Sequence, residues 1–266
     1  MNAPAAPLHE VFYSLQGEGL WVGVPQLFVR VRGCDLTCLY CDTAAARDLH
    51  GPASFWPPGG APALALDNPV PLGDLLALVD QWRAAAPLHS LALTGGEPLL
   101  YPAFVQALGE ALARRRLPLY LETAGHLPEA LAEVLPMVAC AALDYKLPHT
   151  LAEPVAPERF LRSAEVASGG TYFVKIVVTS LTPQEELEAA ARGLAQVAPL
   201  TPVVLQPVTG ALSAGATLAL RAWGRCCLNR VSERNGVGRW EQAWRRGNGW
   251  RQADECLGDR GLHQLG

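Results

Sequence analysis

The sequence has no apolar run that approaches the about 20 residues a membrane-spanning helix needs. Its first residues, 1–4, lack the basic and apolar regions of an export signal. It also lacks an excess of positive charge, because the net charge is -4 and the isoelectric point is about 5.9. This charge argues against a nucleic-acid-binding surface as the main activity. We expect a cytoplasmic chain with neither a membrane nor a nucleic acid as partner.

A disulfide framework is missing as well. Seven cysteines are an odd number, and they have no regular spacing along the chain. Without an export signal, the thiols are expected to stay reduced. The sequence also contains no fixed-period repeat. Half of the 266 residues are hydrophobic, which is enough for a sizeable core.

Three of the cysteines are concentrated in one loop, residues 33–43. Cys34, Cys38 and Cys41 have a C-x3-C-x2-C spacing, and soft thiolates favour iron–sulfur clusters or zinc over hard cations. Both kinds of site normally take four protein ligands, whereas the local count here stops at three. One coordination position is thus left for a ligand that the protein does not supply. A zinc site closed by a distant ligand and a chance group of buried thiols are the alternatives.

Short apolar runs alternate with stretches of helical spacing along the chain. The runs that predict strands are 25–32, 91–93, 117–121, 137–143, 172–178 and 203–205. The predicted helices are 72–82, 104–115, 129–135, 157–167 and 183–197. This alternation predicts an α/β fold with a parallel sheet, and six units are too few for a closed eight-unit barrel. We therefore expect an open, partial six-stranded (β/α) barrel.

Two other segments have weaker patterns. Residues 8–19 are interpreted as a turn between two short strands, with Gly17 and Gly19 allowing a tight backbone. Residues 46–71 are rich in glycine, proline and alanine, and we interpret them as a loop or lid without regular elements.

Polar residues follow each predicted strand, at the end where this architecture places its chemistry. The groups are the cysteine loop, Thr94–Pro98, Glu122–Gly125, Asp144–Lys146, the strand with Lys175 that ends near Thr179, and Gln206–Pro207. Each group alone is explained equally well by a cap, a turn or a salt bridge. Their common placement predicts one ligand site on that rim.

Several of these residues have a chemical interpretation. Gly95 and Gly96 would let a ligand approach the backbone closely, and Glu97 would accept from a ligand ammonium group, with a glycine turn capped by a carboxylate as the alternative. Asp144 and Lys146 would contact ribose hydroxyls or a carboxylate.

Other side chains suit the remaining parts of a nucleoside ligand. Gln206 would bond ribose or adenine, and Tyr40 would offer its ring to adenine. Thr43 offers a hydroxyl to Mg²⁺, with N-capping of the next helix as the alternative. Arg30 is interpreted as a clamp for a carboxylate or phosphate, with a structural salt bridge as the alternative.

The cysteine spacing and these clusters resemble the radical S-adenosylmethionine superfamily, and within it the 7-carboxy-7-deazaguanine synthase family. The segments that carry the resemblance are Ser14–Gly19, Phe28–Arg30, Cys41–Thr43, Thr94–Pro98, Glu122–Thr123 and Leu205–Pro207. The cysteine loop and Thr94–Pro98 are shared by many radical enzymes. The first segment, together with Cys41–Thr43, is far more specific. The resemblance covers roughly residues 8–208.

The resemblance implies a reaction and its cofactors. S-adenosylmethionine would bind the open iron of a [4Fe-4S] cluster and be cleaved to a 5′-deoxyadenosyl radical. That radical would take a hydrogen from 6-carboxy-5,6,7,8-tetrahydropterin, and ring contraction with loss of ammonia would give 7-carboxy-7-deazaguanine, in queuosine or 7-deazapurine biosynthesis. Mg²⁺ would bind the substrate carboxylate. The implied partners are an electron donor such as flavodoxin and a second copy of the chain.

The resemblance also assigns site residues by position, and no protein acid or base is among them. The cluster ligands are Cys34, Cys38 and Cys41, and the Mg²⁺ ligand is Thr43. The S-adenosylmethionine positions are Tyr40, Asp42, Gly96, Glu97, Asp144, Tyr145, Lys146 and Gln206. The pterin positions are Leu15, Gln16, Gly17, Glu18, Arg30 and Thr94.

The C-terminal segment departs from the family. Members typically end in a Pro-Gln-x-His segment that touches substrate, and this chain has none. Residues 221–266 instead hold nine of the 19 arginines and four of the seven tryptophans. We divide the chain into a partial-barrel domain, 1–215, and an atypical tail, 216–266, interpreted as disordered, frame-altered or an unrelated extension. The altered-frame version is wrong if no shifted frame of the coding DNA restores Pro-Gln-x-His.

Three alternatives to this function stay open. A different radical enzyme, such as an activase that places a glycyl radical on a partner protein, would keep the cluster and Thr94–Pro98 but would not need Thr43 or Arg30. A non-enzymatic iron–sulfur electron carrier would need a fully ligated cluster. A catalytically inactive paralogue would follow from the altered tail.

Overall fold

The computed structural model describes residues 4–179 and 181–208, so the predicted tail, 216–266, lies outside the described residues. The described strands are β1 Ala5–Ala6, β2 Leu8–Leu15, β3 Pro25–Val31, β4 Ala53–Phe55, β5 Leu64–Leu66, β6 Val70–Pro71, β7 Ser90–Gly95, β8 Leu119–Thr123, β9 Cys140–Tyr145, β10 Tyr172–Val178 and β11 Val203–Pro207. The described α-helices are α1 Leu72–Ala85, α2 Pro102–Arg114, α3 Pro128–Val134, α4 Pro157–Ala167 and α5 Gln184–Val197. Short 3₁₀ helices are Gly19–Trp21, Ala44–Arg47, Pro58–Gly60, Pro98–Leu100, Leu135–Met137 and Pro148–Thr150.

One sheet of nine strands organises the described residues, in the order β11-β10-β9-β8-β7-β3-β2-β4-β5. From β3 to β11 all neighbours are parallel, with an α-helix in each of the five crossovers. The six predicted strands and five predicted helices are thus confirmed. Beyond β3 the sheet continues with β2, which is antiparallel to β3. The sheet remains open, as expected for a partial barrel.

Residues 46–71 are not a loop without regular elements, so that prediction is wrong. Strands β4 and β5 form a hairpin on β2, and β6 pairs with β1. Each of these strands has only two or three residues, which is too short for a period to show in the sequence. Ala53 and Phe55 are fully buried, so burial holds this hairpin in place.

The parallel strands have two different faces because successive side chains point to opposite sides. Leucine and valine side chains of one face, such as Leu91 and Leu93, join the main core beneath the helices. On the inner face lies a second, smaller core, formed by Phe28, Ala92, Tyr120, Cys140, Ala142 and Phe173. Polar side chains follow this small core towards the carboxyl ends of the strands.

The loop between β2 and β3, residues 16–24, enters the open barrel. Trp21 packs against Tyr120 and His89, with ring centroids 5.0 and 4.7 Å apart. Gly19 has φ +71°, and a Cβ at this position would lie 2.3 Å from the ring of Phe173. Because four strands separate β2 from β10 in the sheet, this loop spans the interior that further βα units would otherwise fill.

Among the described residues, no helix is both long enough and apolar enough to cross a membrane.

Candidate active site

A cleft of about 580 Å³ opens at the carboxyl ends of the parallel strands. All of the predicted site residues line it except Glu97 and Tyr145. The tertiary structure therefore gathers positions that are spread from residue 15 to residue 206 into one site. The sequence predicted that the strand-end groups would lie on one rim, and the structure confirms that they do.

The cysteine loop forms one wall of this cleft. Cys34, Cys38 and Cys41 are free and partly exposed, and the loop is fixed by a backbone bond from Leu39 to Thr150. It begins at Gly33, with φ +84°, where a Cβ would lie 2.7 Å from the Tyr101 hydroxyl. Only glycine is tolerated in that conformation without strain.

The chemistry of these three thiols fits a cluster better than a zinc ion. No group of three His, Cys, Asp or Glu side chains in the described part of the chain is arranged to hold a single metal ion. Three cysteines that each bind a different iron of a cube need not converge on one point. Burial raises the pKa of Cys34 to about 11 and also raises the pKa of Cys38. Ligation would release their protons, since metals bind the thiolate.

Glu97 does not line the cleft, and the alternative interpretation, a turn capped by its carboxylate, describes its present contacts. It is completely buried, and its carboxylate accepts from the backbone N–H groups of Leu99 and Ala124, at 2.8 Å each, and from the Thr123 hydroxyl at 2.7 Å. Burial raises its pKa, and these three donors oppose that shift. Glu97 therefore joins the ends of β7 and β8.

The two glycines before Glu97 allow two backbone segments of the chain, rather than a ligand and the backbone, to approach each other closely. A Cβ on Gly95 would lie 2.4 Å from the backbone of Val31, and one on Gly96 would lie 1.9 Å from the carbonyl oxygen of Gly33. Thr94–Pro98 thus packs directly on the start of the cysteine loop. Gly96 still lines the cleft.

Tyr145, a position that the resemblance assigned to S-adenosylmethionine, has its side chain on the other face of the sheet and does not line the cleft. It belongs to the main core and packs on Phe160, with ring centroids 5.0 Å apart. The reason is the strand period: Asp144 points into the cleft, so its neighbour points away.

Asp144 is the centre of a charged network on the cleft floor. Its Oδ2 accepts from Lys146 at 2.7 Å, and Lys146 also donates to the Tyr40 hydroxyl at 2.9 Å. The other oxygen, Oδ1, is buried and has no partner among the described residues. Burial alone would raise the pKa of Asp144, but Lys146 and Lys175 together lower it.

Lys175 and Glu122 also line the cleft; both belonged to the predicted strand-end groups, but neither was assigned to a ligand. Lys175 donates to Glu18 at 2.5 Å and lies 3.3 Å from Asp144 Oδ2. Glu122 accepts from the Gln16 amide at 2.8 Å. The available signal was a charged residue inside an apolar strand, at a position whose parity places it on the inner face.

The two arginines of β3 have different surroundings. Arg30 lines the cleft and forms an ion pair with Glu10 at 2.9 Å, so the salt-bridge alternative describes its present contact. Arg32 donates instead to the carbonyl groups of Leu8, Ala45, Asp48 and Pro52, and holds the chain after the cysteine loop.

Thr43 faces the cleft beside Asp42. Its hydroxyl donates to Asp42 Oδ1 at 3.2 Å. It stands at the N-cap position of the following 3₁₀ helix, as the alternative predicted, but its side chain makes no capping bond. These two side chains place hard oxygen atoms next to the cysteine loop.

Comparisons with known proteins show which family this chain resembles. Residues 28–145 match the family model of the Radical SAM superfamily. The 7-carboxy-7-deazaguanine synthase of Geobacter sulfurreducens is 39% identical over 224 residues, covering 83% of this chain and 88% of that protein. The enzyme of the same name from Methanopyrus kandleri is 37% identical over 212 residues, covering 78% and 82%. The crystal structure of QueE from Escherichia coli is similar with a TM-score of 0.53 at 22% identity, covering 78% of this chain and 86% of that one.

Proposed function

The chain belongs to the 7-carboxy-7-deazaguanine synthase family of radical S-adenosylmethionine enzymes, and we propose that it converts 6-carboxy-5,6,7,8-tetrahydropterin to 7-carboxy-7-deazaguanine with loss of ammonia. One observation carries the proposal. The cysteine loop, all of the pterin positions and all of the S-adenosylmethionine positions except Glu97 and Tyr145 line the same cleft. In a radical enzyme, catalysis comes mainly from holding the reactants together in a site of this kind.

Cys34, Cys38 and Cys41 would hold a [4Fe-4S] cluster. When bound, the cluster with S-adenosylmethionine supplies the radical that takes hydrogen from the substrate. Three cysteines leave one iron for the cosubstrate. The packing of Gly95 and Gly96 against the start of the loop fixes its position.

The S-adenosylmethionine side of the cleft would consist of Tyr40, Gly96, Asp144, Lys146 and Gln206. The unpartnered Oδ1 of Asp144 is a ready acceptor for a ribose hydroxyl, since a buried carboxylate oxygen without a donor is unfavourable. Lys146 orients both Asp144 and Tyr40, so that the tyrosine ring is held in place. Asp42, at the edge of the cysteine loop, lies at the same wall.

The pterin side would consist of positions from four elements. Leu15 comes from the end of β2, Gln16, Gly17 and Glu18 from the β2–β3 loop, Arg30 from β3 and Thr94 from β7. Carboxylates are acceptors only, so Glu18 suits the N–H edge of a pterin. The Arg30 guanidinium suits an anionic group such as a carboxylate.

A magnesium ion would bind next to the cysteine loop through Thr43, with Asp42 as a second oxygen donor. Mg²⁺ prefers oxygen ligands and keeps several waters, so few protein ligands are needed. In this position it would neutralise the substrate carboxylate.

The remaining proposals concern partners and organisation. An electron donor such as flavodoxin would approach at the cysteine loop, where Leu39 is 70% exposed. We further propose a homodimer in the cytoplasm, with residues 1–215 as the catalytic domain and 216–266 as an atypical tail.

The direct test is an anaerobic assay of reconstituted protein with dithionite, S-adenosylmethionine, Mg²⁺ and the carboxytetrahydropterin. Formation of 7-carboxy-7-deazaguanine supports the proposal. 5′-Deoxyadenosine without this product contradicts it and points to another substrate, as in a glycyl-radical activase. Absence of cleavage points to an electron carrier or an inactive paralogue. The Cys38→Ala variant, treated identically, is the control for chemistry that does not need the cluster.

A further inference from the structure

Lys175 has no role in the function proposed above, although it lies among the charges of the cleft. It belongs to β10 and is nearly buried, with 14% of its side chain exposed. Its ammonium nitrogen lies 2.5 Å from Glu18 Oε2 and 3.3 Å from Asp144 Oδ2. One nitrogen atom thus serves two carboxylates that come from different elements.

The composition of the chain makes this position unusual. Among 21 basic residues only two are lysines, Lys146 and Lys175, and both contact the same oxygen of Asp144. A lysine ammonium is a compact charge with three donors, whereas an arginine guanidinium is a wide planar fork. The chain therefore places both of its lysines at the buried carboxylate of Asp144, where a compact cation fits.

The two carboxylates belong to different halves of the proposed site. Glu18 lies on the pterin side, and Asp144 lies on the S-adenosylmethionine side. We propose that Lys175 is a positioning residue that couples these halves, so that a change at Glu18 is transmitted through its ammonium group to Asp144. The identity of the two ligands rests on the proposed function; the link between the two carboxylates does not.

The coupling follows from the cost of a buried charge. Lys175 cannot be left unpaired, because an uncompensated buried ammonium is strongly unfavourable. If Glu18 no longer pairs with this ammonium group, Asp144 alone has to neutralise it. Asp144 then becomes a weaker hydrogen-bond acceptor for a ligand hydroxyl. Coupling between two sites is reciprocal in binding free energy. A ligand at either carboxylate is therefore expected to change affinity at the other.

A double-mutant cycle tests this without any pterin. The dissociation constant of S-adenosylmethionine is measured by anaerobic calorimetry on reconstituted wild type, Glu18→Gln, Lys175→Met and the double variant. We expect Glu18→Gln to weaken binding by about fivefold in the wild-type background, and by less than about twofold in the Lys175→Met background. Equal effects of Glu18→Gln in both backgrounds would overturn the proposal.

Two features keep the test decisive. Glu18→Gln preserves the Lys175–Asp144 contact, so it remains informative if Lys175→Met does not fold: a weakened constant supports the link, and an unchanged constant overturns it. The matched control is Glu10→Gln, which also removes a carboxylate from an ion pair, with Arg30, but has no contact with Asp144. It is expected to leave the constant unchanged.

The pterin is titrated separately to distinguish the two proposals. Wild-type protein that binds S-adenosylmethionine but not the carboxytetrahydropterin contradicts the proposed function, while the cycle still decides the role of Lys175. Wild-type protein that binds neither ligand contradicts both.

Discussion

Burial and charge pairing have opposite effects on the pKa of Asp144. Its carboxylate is removed from water, which opposes ionisation, yet two ammonium groups contact one of its oxygens and hold the pKa below the usual range. The same contact raises the pKa of both lysines, with burial opposing. All three groups therefore stay charged at neutral pH.

This network predicts a pH-dependent contribution to stability. A carboxylate with a lowered folded-state pKa stabilises the fold above its unfolded pKa, here 3.8, and that contribution is lost as the pH falls through the folded pKa. Asp144→Asn should therefore cost about 3 kcal/mol from pH 5 to pH 9, because it leaves buried ammonium groups poorly compensated. The difference from wild type should shrink below about pH 4.

Urea unfolding at several pH values measures this difference. Asp80→Asn is the matched control, since Asp80 pairs with Arg115 at the surface and should cost less than about 1 kcal/mol. A difference for Asp144→Asn that stays constant down to pH 3 would contradict the assignment.

The cysteines allow a second prediction with an internal control. Alanine at position 34, 38 or 41 should abolish iron and sulfide incorporation, because each thiolate holds a different iron and none can be replaced. Cys140→Ala should retain the wild-type iron content, since Cys140 is buried in the small core with Phe28 and Tyr120. Metal analysis after anaerobic reconstitution measures both. Zinc in place of iron in the wild type would sink the cluster assignment.

Among the elements, the β2–β3 loop does the most to shape the site. It presents Gln16 and Glu18 to the cleft while Trp21 packs deeper in the barrel. The Gln16 amide donates to both Gln26 and Glu122, so the loop is tied to the sheet at its start. The loop thus supplies both the filling of the open barrel and part of the ligand-binding wall.

Gly19 provides the test of that arrangement. Gly19→Ala combines a left-handed backbone with a clash against Phe173, and we expect it to lower the free energy of unfolding by about 3 kcal/mol. The control is Gly17→Ala in the same loop, where a Cβ meets no atom within 4 Å; its effect should stay within about 0.5 kcal/mol. Chemical denaturation compares the two, and similar effects would show that the loop does not need this packing.

For the molecule as a whole, the three cluster cysteines and the S-adenosylmethionine positions that line the cleft all lie between residues 34 and 206. A chain that ends at residue 215 should therefore incorporate iron and bind S-adenosylmethionine as the full chain does. Iron content and calorimetry measure this, with the full chain as the reference. A truncated chain that folds but takes up no iron would instead make the tail part of the cluster domain.

The periodic signals of the sequence were sufficient for much of this arrangement. Apolar runs and helical spacing predicted the six parallel strands and five helices, because long buried elements repeat their pattern over many residues. The cysteine spacing and the strand-end clusters predicted where the cleft would lie. The strands of 46–71 gave no such signal, since elements of two or three residues depend on contacts with distant partners.

The sequence by itself determined the parallel sheet, the cysteine loop and the rim on which the polar residues meet, because these depend on local pattern and strand direction. Only the tertiary structure decided which way individual side chains point and what neutralises them. In that structure Tyr145 packs in the main core, Glu97 is buried between the ends of β7 and β8, and Lys175 lies between Glu18 and Asp144. The physical reason is that burial and charge pairing are properties of three-dimensional neighbours, and those neighbours are far apart along the chain.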